Sequence, residues 1–198
     1  MKMKRIILLS IVLSFVASLS AQQWKTMADV EARAAATMLL DEVKKVKKLD
    51  RKFEQVKQSP MTTTPAVSKG TMHYESPDAL TWSYETPFAF SMEIRGEKMT
   101  ARRDGQVVPL GSRQQMGMKS MMKMIVGMSS GSSLFDDKTF DWTMAEGVGG
   151  YKVEMTPKNK NMRRMFTKVV LFFDKATKLV TGIELTESDS SLTTITFK

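Results

Sequence analysis

The chain has no cysteine in 198 residues and a single histidine, His73. Without cysteine there is no disulfide framework, no Cys–His nucleophile pair and no thiolate metal ligand, so the fold must rest on its apolar core. One histidine cannot build a His-rich zinc site, and no G-x-S-x-G elbow supplies a serine for it to activate. Glycine-rich phosphate loops are missing too. Gly147-Val-Gly-Gly150 is followed by neither Lys-Ser/Thr nor a helical pattern. Carboxylates are mostly interleaved with lysines, and the adjacent pair Asp136-Asp137 reads as a turn after Leu134-Phe135. These absences exclude the common catalytic constellations. The expectation is a non-enzyme that uses no metal and no cofactor.

Long apolar runs are also scarce. The one present, Ile6–Leu19, follows Met1-Lys-Met-Lys-Arg5 and ends at Leu19-Ser20-Ala21. A basic start, a short hydrophobic stretch and a small-x-small ending predict a secretory signal peptide over residues 1–21, cleaved after Ala21. The run is short for a bilayer core of about 30 Å. No cysteine follows it, so lipid anchoring is not expected, and residues 22–198 read as one soluble domain. The formal charge of +9 falls to +6 when Lys2, Lys4 and Arg5 leave with the leader. The remaining basic residues are scattered. With export, that argues against a nucleic-acid partner and for an ordinary solvated surface.

What the chain does have lies between Gly70 and Ile94, GTMHYESPDALTWSYETPFAFSMEI. Met72 and Tyr74 alternate with polar neighbours. After Ser76-Pro77 so do Leu80, Trp82 and Tyr84, and after Thr86-Pro87 so do Phe88, Phe90, Met92 and Ile94. Alternate side chains of a strand share a face, so these nine should tile one surface of a curved antiparallel sheet. His73, Thr81, Ser83 and Glu93 then point the other way. Such a surface is either a closed core or the wall of an apolar cavity.

Around it, Trp24 to about Gln58 reads as helical: Ala35, Leu39, Val43, Val46, Leu49 and Phe53 recur at three- and four-residue steps. The stretch Leu49–Val56 is equally readable as a first strand. Asp104-Gly105 predicts a hairpin turn. Ser112–Met128 returns to a helical period, with Met118, Met121 or Met122, Ile125 and Met128 on one stripe. Gly117 and Gly127 each weaken that helix by about 1 kcal/mol relative to Ala. Strand patterns resume at Phe140 and continue to Phe197. Methionine, 18 in all, suits surfaces that accept varied apolar partners. The total is about ten or eleven strands and two or three helices.

In order and in local phrasing the chain resembles the LolA family of outer-membrane lipoprotein carriers. The resemblance runs from Trp24 to Phe197. It rests on Phe53-Glu-Gln55, Gly70-x-Met-x-Tyr74, Pro77-x-x-Leu80-x-Trp82, the Tyr84-x-x-Pro87 step, Gly96-Glu-Lys, and the closing Glu187–Phe197 phrase. It implies a mainly β fold with some helix: an unclosed antiparallel β half-barrel covered by a helical lid. It also implies a periplasmic, monomeric carrier that holds lipoprotein acyl chains between sheet and lid. Such a carrier takes acylated lipoproteins from an inner-membrane ABC transporter and passes them to an outer-membrane acceptor. Two alternatives share the half-barrel: a carrier of other lipids, and an RseB-like sensor or interaction module. The implied lipid site is Met72, Tyr74, Leu80, Trp82, Tyr84, Phe88, Phe90, Met92 and Ile94 on the sheet, with Met118, Met121, Met122 and Ile125 on the lid. Ser76 stands where many members have an arginine that pins the lid. Arg95, Arg102 and Arg103 are candidates to replace it.

Overall fold

Alternation of apolar and polar residues dominates most of the chain, and the backbone follows it into one large sheet. The computed structural model describes residues 24–111, 115, 119, 122, 125–127 and 135–198. Its strands, in chain order, are β1 (Lys25–Thr26), β2 (Lys48–Gln58), β3 (Ala66–Glu75), β4 (Ala79–Thr86), β5 (Phe90–Arg95) and β6 (Lys98–Arg103). Then come β7 (Gln106–Val107), β8 (Phe140–Glu146), β9 (Gly150–Pro157), β10 (Phe166–Asp174), β11 (Val180–Glu187) and β12 (Leu192–Phe197). All neighbours are antiparallel, in the order β1-β8-β9-β10-β11-β12-β2-β3-β4-β5-β6-β7. The end strands β1 and β7 do not pair with each other, so the sheet stays open rather than closing into a barrel. This is the expected half-barrel, with twelve strands because two are only two residues long.

Helix α1 (Asp29–Lys45) buries Ala32, Ala35, Ala36, Leu39 and Val43, a stripe at three- and four-residue spacing. Its first turn carries Asp29 and Glu31 and its last turn Lys44 and Lys45, as the helix dipole favours. The helical reading fails beyond Val43. Val46 already has extended backbone (φ −71°, ψ 113°), and β2 begins at Lys48. β2 pairs with β3 over Lys48–Lys57 and with β12 over Phe53–Gln58, and that pairing outweighs a helical period that Leu49 and Phe53 satisfy equally well. A second helical stretch, α2, includes residues 115, 119, 122 and 125–127. A single turn, α3 (Lys160–Arg163), is capped by the Asn159 side chain, which accepts from the Asn161 N–H at 2.7 Å. The expected leader lies outside the described residues. Among those described, no helix is long and apolar enough to cross a membrane.

Turn chemistry fixes the register on one side. Asp104 and Gly105 both have positive φ (49° and 79°), the two-residue hairpin geometry expected between β6 and β7. In the β5–β6 turn only the first residue, Gly96 (φ 57°), takes positive φ. One face of the sheet then packs against α1 and α2. Leu39, Met122 and Ile125 share a single cluster with Met72, Tyr74, Leu80, Trp82, Val153, Leu171 and Ile183. On β10, Val169, Leu171 and Phe173 face this cluster while Val170 is buried on the opposite side, which explains its unbroken apolar run.

Candidate functional site

Strand register sorts the inward residues into cross-strand rows. Leu49, Tyr74, Leu80, Ile94 and Met99 form one row, and Arg51, Met72, Trp82, Met92 and Ala101 the next. Phe197, Phe53, Gly70, Tyr84, Phe90 and Arg103 form the third. The predicted face is therefore real, but its members do two different jobs. Met72, Tyr74, Leu80, Trp82 and Ile94 are fully covered by the helices and sheet, so here they are core. Tyr84, Phe90 and Met92 line an open cavity of about 670 Å³ together with Phe88. That volume is within the usual range for small-ligand sites, about 300–1,000 Å³.

Phe88 departs from the expected alternation. It lies in the loop before β5 rather than on the strand, and it is 70% exposed at the cavity rim. Met122 and Ile125 are buried against the sheet, as a covering helix requires, while Met118 and Met121 lie outside the described residues.

Gly70 explains how the aromatic end of the face is built. A Cβ there would stand 1.9 Å from the Ser83 carbonyl oxygen and 2.9 Å from the Phe53 ring. Phe53 takes that space, stacking on Trp82 at 4.1 Å and meeting Tyr84 edge-on at 5.5 Å. The opposite wall comes from Met165, Phe166, Leu185 and Thr193. Polar groups line the cavity as well. The Tyr84 hydroxyl donates to Gln55 Oε1 at 3.0 Å, and Lys57 Nζ sits 2.7 Å from both Glu187 oxygens. Thr193 Oγ1 donates to Glu187 at 2.8 Å. Burial pushes the Tyr84 phenol up from its ordinary range, which keeps it a neutral donor. Arg103 and Arg164 complete the rim.

Elsewhere the polar residues are anchors. His73 is paired with Asp50 at 2.6 Å on the outer face, as strand parity predicts. Ser76 donates its backbone N–H to the Lys47 carbonyl at 2.8 Å. Arg95 lies near Glu75 and Glu93, each at 3.9 Å, and Arg102 reaches the Gly105 carbonyl at 3.4 Å. Of the three candidate arginines, only Arg103 has inward parity. Sequence reasoning missed Arg51, which shares the inward parity of Phe53 and lines a small apolar gap of about 40 Å³ beneath Ile125. Reading Leu49–Val56 firmly as a strand would have found it. Among the described residues, no three His, Asp or Glu side chains gather as a metal site.

Residues 44–198 match the family described as outer membrane lipoprotein carrier protein LolA. No curated protein matches the chain in sequence. Among solved structures, an outer membrane lipoprotein-sorting protein domain from Vibrio parahaemolyticus is 12% identical, with TM-score 0.46, over 85% of this chain and 91% of that one. A LolA superfamily protein from Nitrosomonas europaea is 8% identical, with TM-score 0.42, over 82% of this chain and 91% of the other. MucB in its MucA complex from Pseudomonas aeruginosa is 14% identical, with TM-score 0.38, over 82% of this chain and 55% of that one.

Proposed function

The chain belongs to the family of outer membrane lipoprotein carrier proteins LolA, and from that premise we propose that it is a non-enzymatic periplasmic carrier of lipoproteins. The observation that carries the reading is the cavity of about 670 Å³ walled by Tyr84, Phe88, Phe90, Met92, Met165 and Leu185. An acyl chain gains about 0.8 kcal/mol per buried CH₂, so such a wall captures lipid without directed bonds. The cavity's open mouth leaves a route for the cargo to depart. Met122 and Ile125 of α2 cover the deeper rows, so the helix and the sheet would share the longer chains between them. An ABC transporter in the inner membrane would load the carrier, and an outer-membrane acceptor would unload it.

Native mass spectrometry of the protein purified from its producing cells tests this. The carrier reading predicts bound acylated polypeptide, depleted in a Phe90→Asp variant that remains folded. Free lipid without any lipoprotein would favour a carrier of other lipids. A bound protein partner carrying no acyl group would favour an RseB-like module.

A further inference from the structure

Seven large apolar side chains stand exposed among the described residues, and five of them gather at one end of the half-barrel. Met61, 91% exposed, is on the β2–β3 loop and Phe88 on the β4–β5 loop, while Val67, Val107 and Leu192 lie on the strands beside them. Strand pairing brings these places together. Gln58 at the end of β2 faces Leu192, Lys57 faces Ala66, Lys69 faces Thr86, and Arg103 faces both Phe90 and Gln106. Val148 lies at the opposite end, where Gly150 pairs with Asp174, and Val30 is on α1. The large cavity opens at the five-residue end, since Phe88, Arg103, Arg164 and Asp189 all line it.

Charge is arranged around the same end. Residues 59–65 and 87–89, the loops that carry Met61 and Phe88, hold no charged side chain. Residues 158–165, KNKNMRRM, join β9 to β10 beside them with four basic side chains and no acidic one. Lys158 is paired with Asp141. Arg163 and Arg102 reach only backbone carbonyls, of Pro157 and Gly105, and Arg103 and Arg164 have no carboxylate partner among the described residues. The acidic side chains nearby are Glu187, held by Lys57, and the separate Glu85, Asp104 and Asp189. Apolar tips on uncharged loops can leave water without desolvating a charge, and cations beside them meet phosphate groups.

We infer that this end of the molecule docks on the surface of a bilayer containing anionic phospholipid. Met61 and Phe88 enter the boundary between headgroups and acyl chains, and Arg163 and Arg164 lie among the headgroups. The inference goes beyond the carrier reading and holds whichever lipid the cavity takes. Because the cavity opens at the docked end, an apolar cargo would pass between protein and bilayer without crossing bulk water.

Flotation of the protein purified from its producing cells tests this, with circular dichroism to confirm that each variant is folded. Wild type should bind vesicles of equal parts phosphatidylglycerol and phosphatidylcholine at least about tenfold more tightly than vesicles of phosphatidylcholine alone. Added salt should erase that preference. Arg163→Gln and Arg164→Gln should each weaken binding to the anionic vesicles about fivefold. Met61→Asp combined with Phe88→Asp should abolish it, whereas Val148→Asp, at the other end, should change it less than about twofold. Equal binding to the two kinds of vesicle overturns the inference, as does a loss in Val148→Asp as large as in the double variant. Failure to float with either vesicle also overturns it and assigns the exposed end to a protein partner. None of these outcomes touches the carrier reading, which falls only if the purified protein holds neither acylated polypeptide nor lipid.

Discussion

Arg33 of α1 reaches Asp137, 104 residues further along the chain, with Nη1 2.9 Å from Oδ2. The same carboxylate accepts from the Trp142 indole at 2.9 Å, and the guanidinium lies 5.6 Å from that ring's centroid. One adjacent acidic pair, which in the sequence looked like a mere turn, thus ties the first helix to the edge of β8. It is a polar link between α1 and the sheet made across 104 residues of chain.

Asp137→Asn should therefore loosen α1, and its effect should depend on pH. Arg33 holds the Asp137 carboxyl below the usual carboxylate range. A group whose pKa is depressed by folding contributes stability above its unfolded pKa and loses it as pH falls through the folded value. Thermal melts of wild type and Asp137→Asn should differ at pH 7 and converge as pH falls below the ordinary carboxylate range. A difference that persists at low pH would remove the ion pair from the account. Both side chains are largely exposed, so added salt should also shrink the difference.

Phe53→Ala should cost about 3–5 kcal/mol in denaturant unfolding, because it leaves both the Trp82 and Tyr84 rings without their central partner. A loss below about 1 kcal/mol would show that the aromatic cluster is not a structural unit.

Gly70→Ala should destabilise by about 1–3 kcal/mol, since the added methyl meets the Ser83 carbonyl and the Phe53 ring. Pairing it with Phe53→Leu should recover part of that loss if the ring is the movable neighbour. Strict additivity would place the whole cost on the backbone contact.

Phe88→Ser should leave stability within about 0.5 kcal/mol of wild type, as the ring is exposed. Uptake of an acyl ligand should nevertheless slow in stopped-flow mixing, because Phe88 stands at the cavity rim. Unchanged uptake would make the residue incidental to the site.

Much of this was readable from the chain because a period of two is hard to mistake. Met72, Tyr74, Leu80, Trp82, Met92 and Ile94 all fall on the predicted face. Phe88 broke the pattern because the loop after Thr86-Pro87 spends two more residues than alternation assumes, so β5 starts at Phe90. Leu49–Val56 was ambiguous because helix and strand periods coincide over so short a run. Arg51 stayed hidden for the same reason: its direction depends on strand parity that only the pairing with Met72 fixes. The division between core and cavity was not legible at all. It depends on where α1 and α2 stop covering the sheet, and no local pattern records that.

The central claim is that acyl chains, not polypeptide, are what this cavity receives. Binding of one lipoprotein in its acylated form and in an otherwise identical form lacking the acyl chains tests it most directly. The account predicts a one-to-one complex with the acylated form, none with the unacylated form, and loss of the complex in folded Phe90→Asp. Equal binding of the two forms, or full binding by Phe90→Asp, would contradict it.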